Sequence, residues 1–199
     1  MMESKRRPST IAFALIPLIS AFAIVGYFAW LRPYLAERQR VENEGYVWNF
    51  KFTFRGIQRD FFEKDLDGNK IHDFWTEDIA GLHRFGLIDR AVAEADAQPV
   101  VPLVPKPIPW HGYFFKSLPG HGPPLPEAQI SDDQAGGGFR RKRFGFCAYP
   151  AEPGVTGKYI YIIDENGSPF RCPVDVMPVP ARWPSEQELR NYWQRDCGG

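Results

Sequence analysis

The stretch VWNFKFTFRGIQRDF (residues 47–61) decides the fold, because it carries two competing periodicities. Trp48, Phe50, Phe52 and Phe54 alternate with polar residues, as in a half-buried strand. Val47, Phe50, Phe54, Ile57 and Phe61 step by three and four, as on one face of a helix. The helical set is longer, and no turn signal separates it from the flanking Gln58, Arg59 and Glu63. The spacing therefore predicts a helix, weakened locally by Gly45 and Gly56. Its aromatic face needs an apolar partner.

The partner lies downstream, where four runs read as strands: Gly112–Leu118, Arg143–Tyr149, Lys158–Asp164 and Ser168–Pro173. Asn166-Gly167 between the last two is a two-residue hairpin signal, because both residues tolerate the positive φ such a turn requires. Ser185 and Glu188 form an S-x-x-E capping box opening a C-terminal helix, with Leu189, Tyr192 and Trp193 on its apolar face. Helix first and antiparallel sheet second defines an α+β domain of roughly four strands, covered by the aromatic face of residues 47–61. Between them come a polar turn, DLDGNKIHDFWTEDIAGL, and a short helix expected over Leu87–Ala95, with Ile88, Val92 and Ala95 on one side. The Pro-rich connector 98–110, QPVVPLVPKPIPW, follows. Proline fixes φ and cannot donate to a ladder, so the connector reads as a stiff, polyproline-like spacer or, less commonly, an SH3-type ligand.

Upstream, IAFALIPLISAFAIVGYFAWL (Ile11–Leu31) is the one long uncharged apolar run. Its about 21 residues would span roughly 31 Å as a helix, close to the hydrocarbon thickness of a bilayer. Pro17 and Gly26 are tolerable in that setting, and Tyr27 and Trp30 suit an interface. The reading is a transmembrane helix continuing into the amphipathic one. Lys5, Arg6 and Arg7, with Ala21-Phe22-Ala23, imitate a cleavable signal, but the apolar run continues to Leu31, which favours an uncleaved anchor. The tighter basic cluster precedes the run, which places residues 1–10 in the cytoplasm, 11–31 in the bilayer, and 32–199 outside. The expected localisation is single-pass in a membrane, with the lipid bilayer as partner; the family resemblance described below implies a bacterial inner membrane.

The chain of 199 residues suffices for one domain beside that anchor. Its 24 basic and 24 acidic residues exert no global pull toward nucleic acid, which is not expected as a partner. Cys147, Cys172 and Cys197 lack C-x-x-C or zinc spacing; a disulfide with one thiol left over and small buried thiols are both open.

Asp65, Asp67, Asn69, Ile71 and Asp73 occupy positions 1, 3, 5, 7 and 9 of an EF-hand-like or dockerin-like loop, Ile71 through its carbonyl. Alternating oxygens in this pattern suit a hard cation, so a structural Ca2+ is the expected cofactor. Lys70 replaces the usual glycine at position 6 and Thr76 the glutamate at position 12, with Glu77 and Asp78 as nearby substitutes. A solvated acidic turn is the alternative. His72, His83, His111 and His121 lie in different segments without metal spacing such as H-E-x-x-H. Gly154-Val155-Thr156-Gly157 reads as a tight loop between strands, and Arg140–Arg143 as a solvated basic loop end.

An apolar N-terminal helix running into a long amphipathic one before a small antiparallel sheet resembles the bacterial pilin and pseudopilin architecture. More specifically, DLDGNKIHDFWTEDIAGL, GYFF, FGFCAYPAEPGVTGKYIYIIDENG and WPSEQEL are similar to a pilin-like envelope domain family of unknown function, across most of residues 40–190. SKRRPSTIAFALIPL departs from the pilin pattern, having neither the processing glycine nor the glutamate that pairs neighbouring subunits. The resemblance thus implies the fold without that assembly device. No catalytic residues or constellation are expected. The functional expectation is a non-enzymatic, membrane-anchored structural or assembly component, working with other envelope or pilin-like proteins; the alternative is a membrane-tethered ligand- or protein-binding module.

Overall fold

The computed structural model describes residues 24–70, 72–118 and 144–195, in two units divided between Gln39 and Arg40. The first contains a π-helical turn, Tyr27–Leu31, and the start of helix α1, Arg32–Lys64, most of whose residues belong to the second. The first unit's apolar side chains face solvent: Trp30 is 81% exposed, Val25 62% and Ile24 58%. Among the described residues no helix is long and apolar enough to cross a membrane. The expected fold, a transmembrane helix leading into the domain, is corrected accordingly. Of Ile11–Leu31 only Ile24–Leu31 is described, and the helix then meets Arg32, Glu37, Arg38 and Arg40, which leaves no uncharged window of spanning length in it.

In the second unit the helical reading of residues 47–61 holds. Val47, Phe50, Phe54 and Phe61 are buried, whereas Phe52, on the period-two pattern alone, is 49% exposed. Gly45 and Gly56 lie within the helix without ending it.

The sheet has five strands, one more than expected, in the order β1-β2-β3-β4-β5 with every pairing antiparallel. They are β1 Tyr113–Ser117, β2 Gly145–Pro150, β3 Tyr159–Asp164, β4 Pro169–Pro173 and β5 Gln194–Arg195. Alternation of side chains divides it into two faces. Tyr113, Phe115, Phe146, Ala148, Tyr161 and Ile163 join the stripe of α1 in one core. Phe50 stacks on Phe115 at 5.2 Å between ring centroids, and Phe54 meets Phe146 at 4.5 Å. On the other face Cys147, Ile160, Ile162 and Cys172 pack with Leu118, Trp183 and Trp193. Burial on both faces explains why β3 reads YIYIID, an almost continuous apolar run.

Local chemistry sets the remaining boundaries. Helix α2, Arg90–Glu94, is shorter than expected because the chain leaves it to bridge the outer edge of β1. Phe115 N donates to Ala95 O at 2.9 Å and Ala97 N to Phe115 O at 2.8 Å, so this sheet edge is covered. The β3–β4 turn differs from a two-residue hairpin. Only Gly167 has positive φ, its N–H donates to Asp164 O, and Ser168 N donates to the Asp164 side chain. Helix α3, Glu186–Tyr192, starts at the expected box: Glu188 N donates to Ser185 Oγ and Ser185 N to Glu188 Oε2. Tyr192, expected on its apolar face, is exposed, while Trp193 just past the helix is buried.

Cys147 and Cys172 are buried free thiols, which resolves the alternatives for these two; Cys197 lies outside the described residues. Burial pushes the Cys147 thiol up to about 12, the Lys116 charge lowering it only in part. Native protein should therefore leave Cys147 unmodified by maleimide at neutral pH, with labelling appearing on denaturation; mass spectrometry of labelled peptides checks this. Phe54→Asp should unfold the domain, since burying an unpaired carboxylate costs about 3 kcal/mol or more. Phe52→Asp should shift the melt only slightly, and equal damage from both would be inconsistent with this packing.

Candidate functional site

The acidic loop follows directly on α1. Asp65, at φ 46, ends the helix; Gly68 N donates to its carbonyl at 2.9 Å and Lys70 N to its Oδ2 at 2.9 Å. Asn69 donates to Asp67 through backbone N (3.3 Å) and Nδ2 (2.7 Å). Lys70 stands at φ 65, the left-handed conformation that glycine supplies at the sixth position of a calcium loop. Asp65 Oδ1 is buried and accepts no hydrogen bond among the described residues. Asp67 and Asn69 are exposed, Asp73 is half-buried with interactions of its own, and Ile71 lies outside the described residues. Among the described residues no group of three or more His, Cys, Asp and Glu side chains is gathered to hold a metal ion. The loop thus has the turn and one spare carboxylate oxygen, without a converged set of ligands.

Asp78, a nearby substitute for the missing twelfth ligand, faces elsewhere. Its Oδ1 accepts from Gly81 N at 2.8 Å and Trp75 Nε1 at 3.1 Å, and its Oδ2 from Val100 N at 2.7 Å. Asp96 accepts from Ile79 N (2.6 Å) and Ala80 N (2.9 Å) on one oxygen and Gln98 N (2.9 Å) on the other. Both carboxylates are buried. Burial pushes the Asp96 carboxyl up and the Asp78 charge adds to this, while the three N–H donors pull it down. Together they tie the 3-10 turn Ala80–Phe85 and the start of the Pro-rich connector to one point. Sequence reading missed both, because nothing in a lone Asp tells whether it faces water or a backbone turn.

The histidines serve local structure. His72 Nδ1 donates to Phe62 O at 2.7 Å and His83 Nδ1 to Ile88 O at 2.9 Å, the tautomer following from a carbonyl's inability to donate. His111 stacks on Tyr46 with centroids 3.7 Å apart, and that stack supports its φ of 46. His121 and Arg140–Arg143 lie outside the described residues.

The loop between β2 and β3 forms the other site. Gly154 N donates to Gly157 O at 2.8 Å, and Thr156 Oγ1 both donates to Glu152 O and accepts from Glu152 N. A Cβ at Gly157 would collide with the Tyr113 hydroxyl, so only glycine fits. Helix α1 grips this loop: Arg40 Nη1 donates to Gly154 O at 3.1 Å and Asn43 Nδ2 to Thr156 O at 3.1 Å, while Glu44 accepts from Lys158 N at 2.7 Å. Beside the loop opens a groove of about 530 Å³ lined by Pro153, Gly154, Lys158, Tyr159, Pro173, Val174 and Asp175. The Arg171 guanidinium lies 4.9 Å from the centroid of the Tyr159 ring. Three prolines or aliphatics, one phenol ring, one ammonium and one carboxylate suit an extended peptide better than a charged small molecule. Arg40, Asn43 and Glu44 were missed although they continue the three-four spacing of the buried stripe toward the N-terminus.

Fold and site define a small α+β domain in which one long helix covers a five-stranded antiparallel sheet and clamps the loop between two of its strands. The chain belongs to the family described as protein of unknown function (DUF2950), whose model matches residues 34–172. No curated protein and no solved structure matches it.

The two sets of carboxylates should separate under mutation. Asp96→Ala orphans the buried N–H donors of Ile79 and Ala80 and should cost about 2–5 kcal/mol in denaturant unfolding. Asp67→Ala, at the exposed loop, should stay within about 0.5 kcal/mol in calcium-free buffer.

Proposed function

We propose that the protein is a non-enzymatic structural or assembly component of the bacterial cell envelope. It is held at a membrane by its apolar N-terminal segment, with the domain outside the cytoplasm. The observation that carries this reading is the exposure of Ile24, Val25, Phe28, Trp30 and Leu31, side chains continuous in sequence with the uncharged run from Ile11. A surface so apolar in water calls for a lipid or protein cover. The non-catalytic half is supported by where the buried acids are spent: Asp78 and Asp96 are bound to backbone N–H groups rather than turned toward a cleft. Layering of a long helix on an antiparallel sheet supports the pilin-like comparison. The protein should stay in the membrane fraction through a carbonate wash, with residues 40–199 open to protease added outside the inner membrane. Recovery in the soluble fraction would overturn this.

A calcium-stabilised domain is a second reading, favoured by the unpartnered Asp65 Oδ1 and the left-handed Lys70. Asp65, Asp67, Asn69 and Asp73, with the Ile71 carbonyl, would hold the ion, which would offset the mutual repulsion of three carboxylates. Bound calcium should stabilise the full chain by about 2.7 kcal/mol at a hundredfold excess over Kd. Melts should rise with millimolar calcium, fall back with chelator, and lose the response in Asp65→Ala/Asp67→Ala. A melt indifferent to calcium up to about 10 mM would leave a solvated turn.

A further inference from the structure

The Pro-rich connector does not act as a spacer between domains, since both of its ends are pinned within the unit that begins at Arg40. Val100 N donates to Asp78 Oδ2 at 2.7 Å and Ile108 N to Glu94 O at 2.8 Å. Between these pins Val100, Val101, Leu103 and Ile108 are all exposed. Two further exposed valines, Val155 (61%) and Val176 (49%), follow directly in sequence on the groove residues Gly154 and Asp175. Single exposed apolar residues are ordinary, but these six fall in two groups, one on the connector and one beside the groove residues. The loop is already ordered by its prolines and its two pins, so seating it in a partner costs little further chain entropy.

We propose that the connector of one copy seats in the groove beside the β2–β3 loop of a second copy. The inference rests on the assembly reading above and names its contact surface. Pyrrolidine rings of proline-rich segments fit against aromatic and apolar walls, which Tyr159, Pro153, Pro173 and Val174 supply. Charge then sets direction: Lys106 is the connector's single charge, and the groove offers it Asp175 while Lys158 repels it. The joined patches differ, so the contact is heterologous and adds subunits head to tail. It requires no carboxylate in the N-terminal helix.

Sedimentation velocity of the full chain in detergent, over a range of protein concentrations, tests this. Wild type should self-associate with rising concentration. Lys106→Asp and Asp175→Lys should each weaken association about tenfold, and the double exchange should restore it. Leu103→Asp, at an exposed position, should abolish association without moving the melting temperature. Recovery in the double exchange supports the contact. Association unchanged in both single variants, or unrecovered in the double, overturns it and leaves assembly through another surface standing. A chain monomeric at every concentration overturns the contact; if it also co-purifies with no envelope protein from native membranes, the assembly reading fails with it.

Discussion

The packing of the α1 stripe on the sheet is the contact from which the other geometry follows. Once Phe50 lies on Phe115 and Phe54 on Phe146, the helix can neither slide nor turn without leaving aromatic rings in water. The polar residues on the same stripe are then placed by helical spacing alone. Toward the N-terminus, Arg40 and Asn43 arrive at the β2–β3 loop and donate to the carbonyls of Gly154 and Thr156. Toward the C-terminus, Gln58 meets the backbone of Trp75, donating to its carbonyl at 2.7 Å and accepting from its N–H at 3.0 Å. Lys51 is buried on this helix with its ammonium against the Trp48 ring. The stripe thus has an aromatic centre that supplies burial and polar ends that supply register.

Legibility from sequence followed the strength of repetition. Residues 47–61 offered two periods, and the longer one was the buried one. The runs behind β1 to β4 and the Ser185–Glu188 box were readable because burial and capping leave local marks. β5 has two residues, both exposed, and exists through its pairing with Phe170 and Arg171, so no pattern precedes it. The β3–β4 turn was misread because Asp164 reaches Ser168 and widens the loop beyond Asn166-Gly167. The acids sorted the same way. Asp65, Asp67, Asn69 and Asp73 stood out by spacing, whereas Asp78 and Asp96, which tie distant segments together, depend in part on neighbours 16 to 22 residues away.

The surface ion pairs explain little of this arrangement. Arg59–Glu63, Lys64–Asp60, Arg90–Glu94 and Arg190–Glu186 are all i,i+4 pairs on exposed helix faces. Pairs this exposed contribute little to stability, and salt screens them. A Phe in the aromatic core contributes several times more, typically about 3–5 kcal/mol on truncation to Ala. Charge on this domain therefore orients and caps, while aromatic burial holds the layers together.

The family match adds a boundary to that picture. It begins at Tyr34 and ends at Cys172, taking in the stripe, the loop that α1 clamps, and the sheet through most of β4. Exposed apolar side chains from Ile24 to Leu31 stand before it. Residues 24–31 are apolar with no buried side chain among them; residues after the boundary divide into a buried stripe and a more polar back. A helix apolar all round is stable only where its surroundings are apolar, whereas an amphipathic one needs a single partner surface. The two parts of the chain thus ask for different environments, one met internally by the sheet and the other met only by something outside the described fold. In the reading proposed above, that asymmetry is what attachment to a membrane answers.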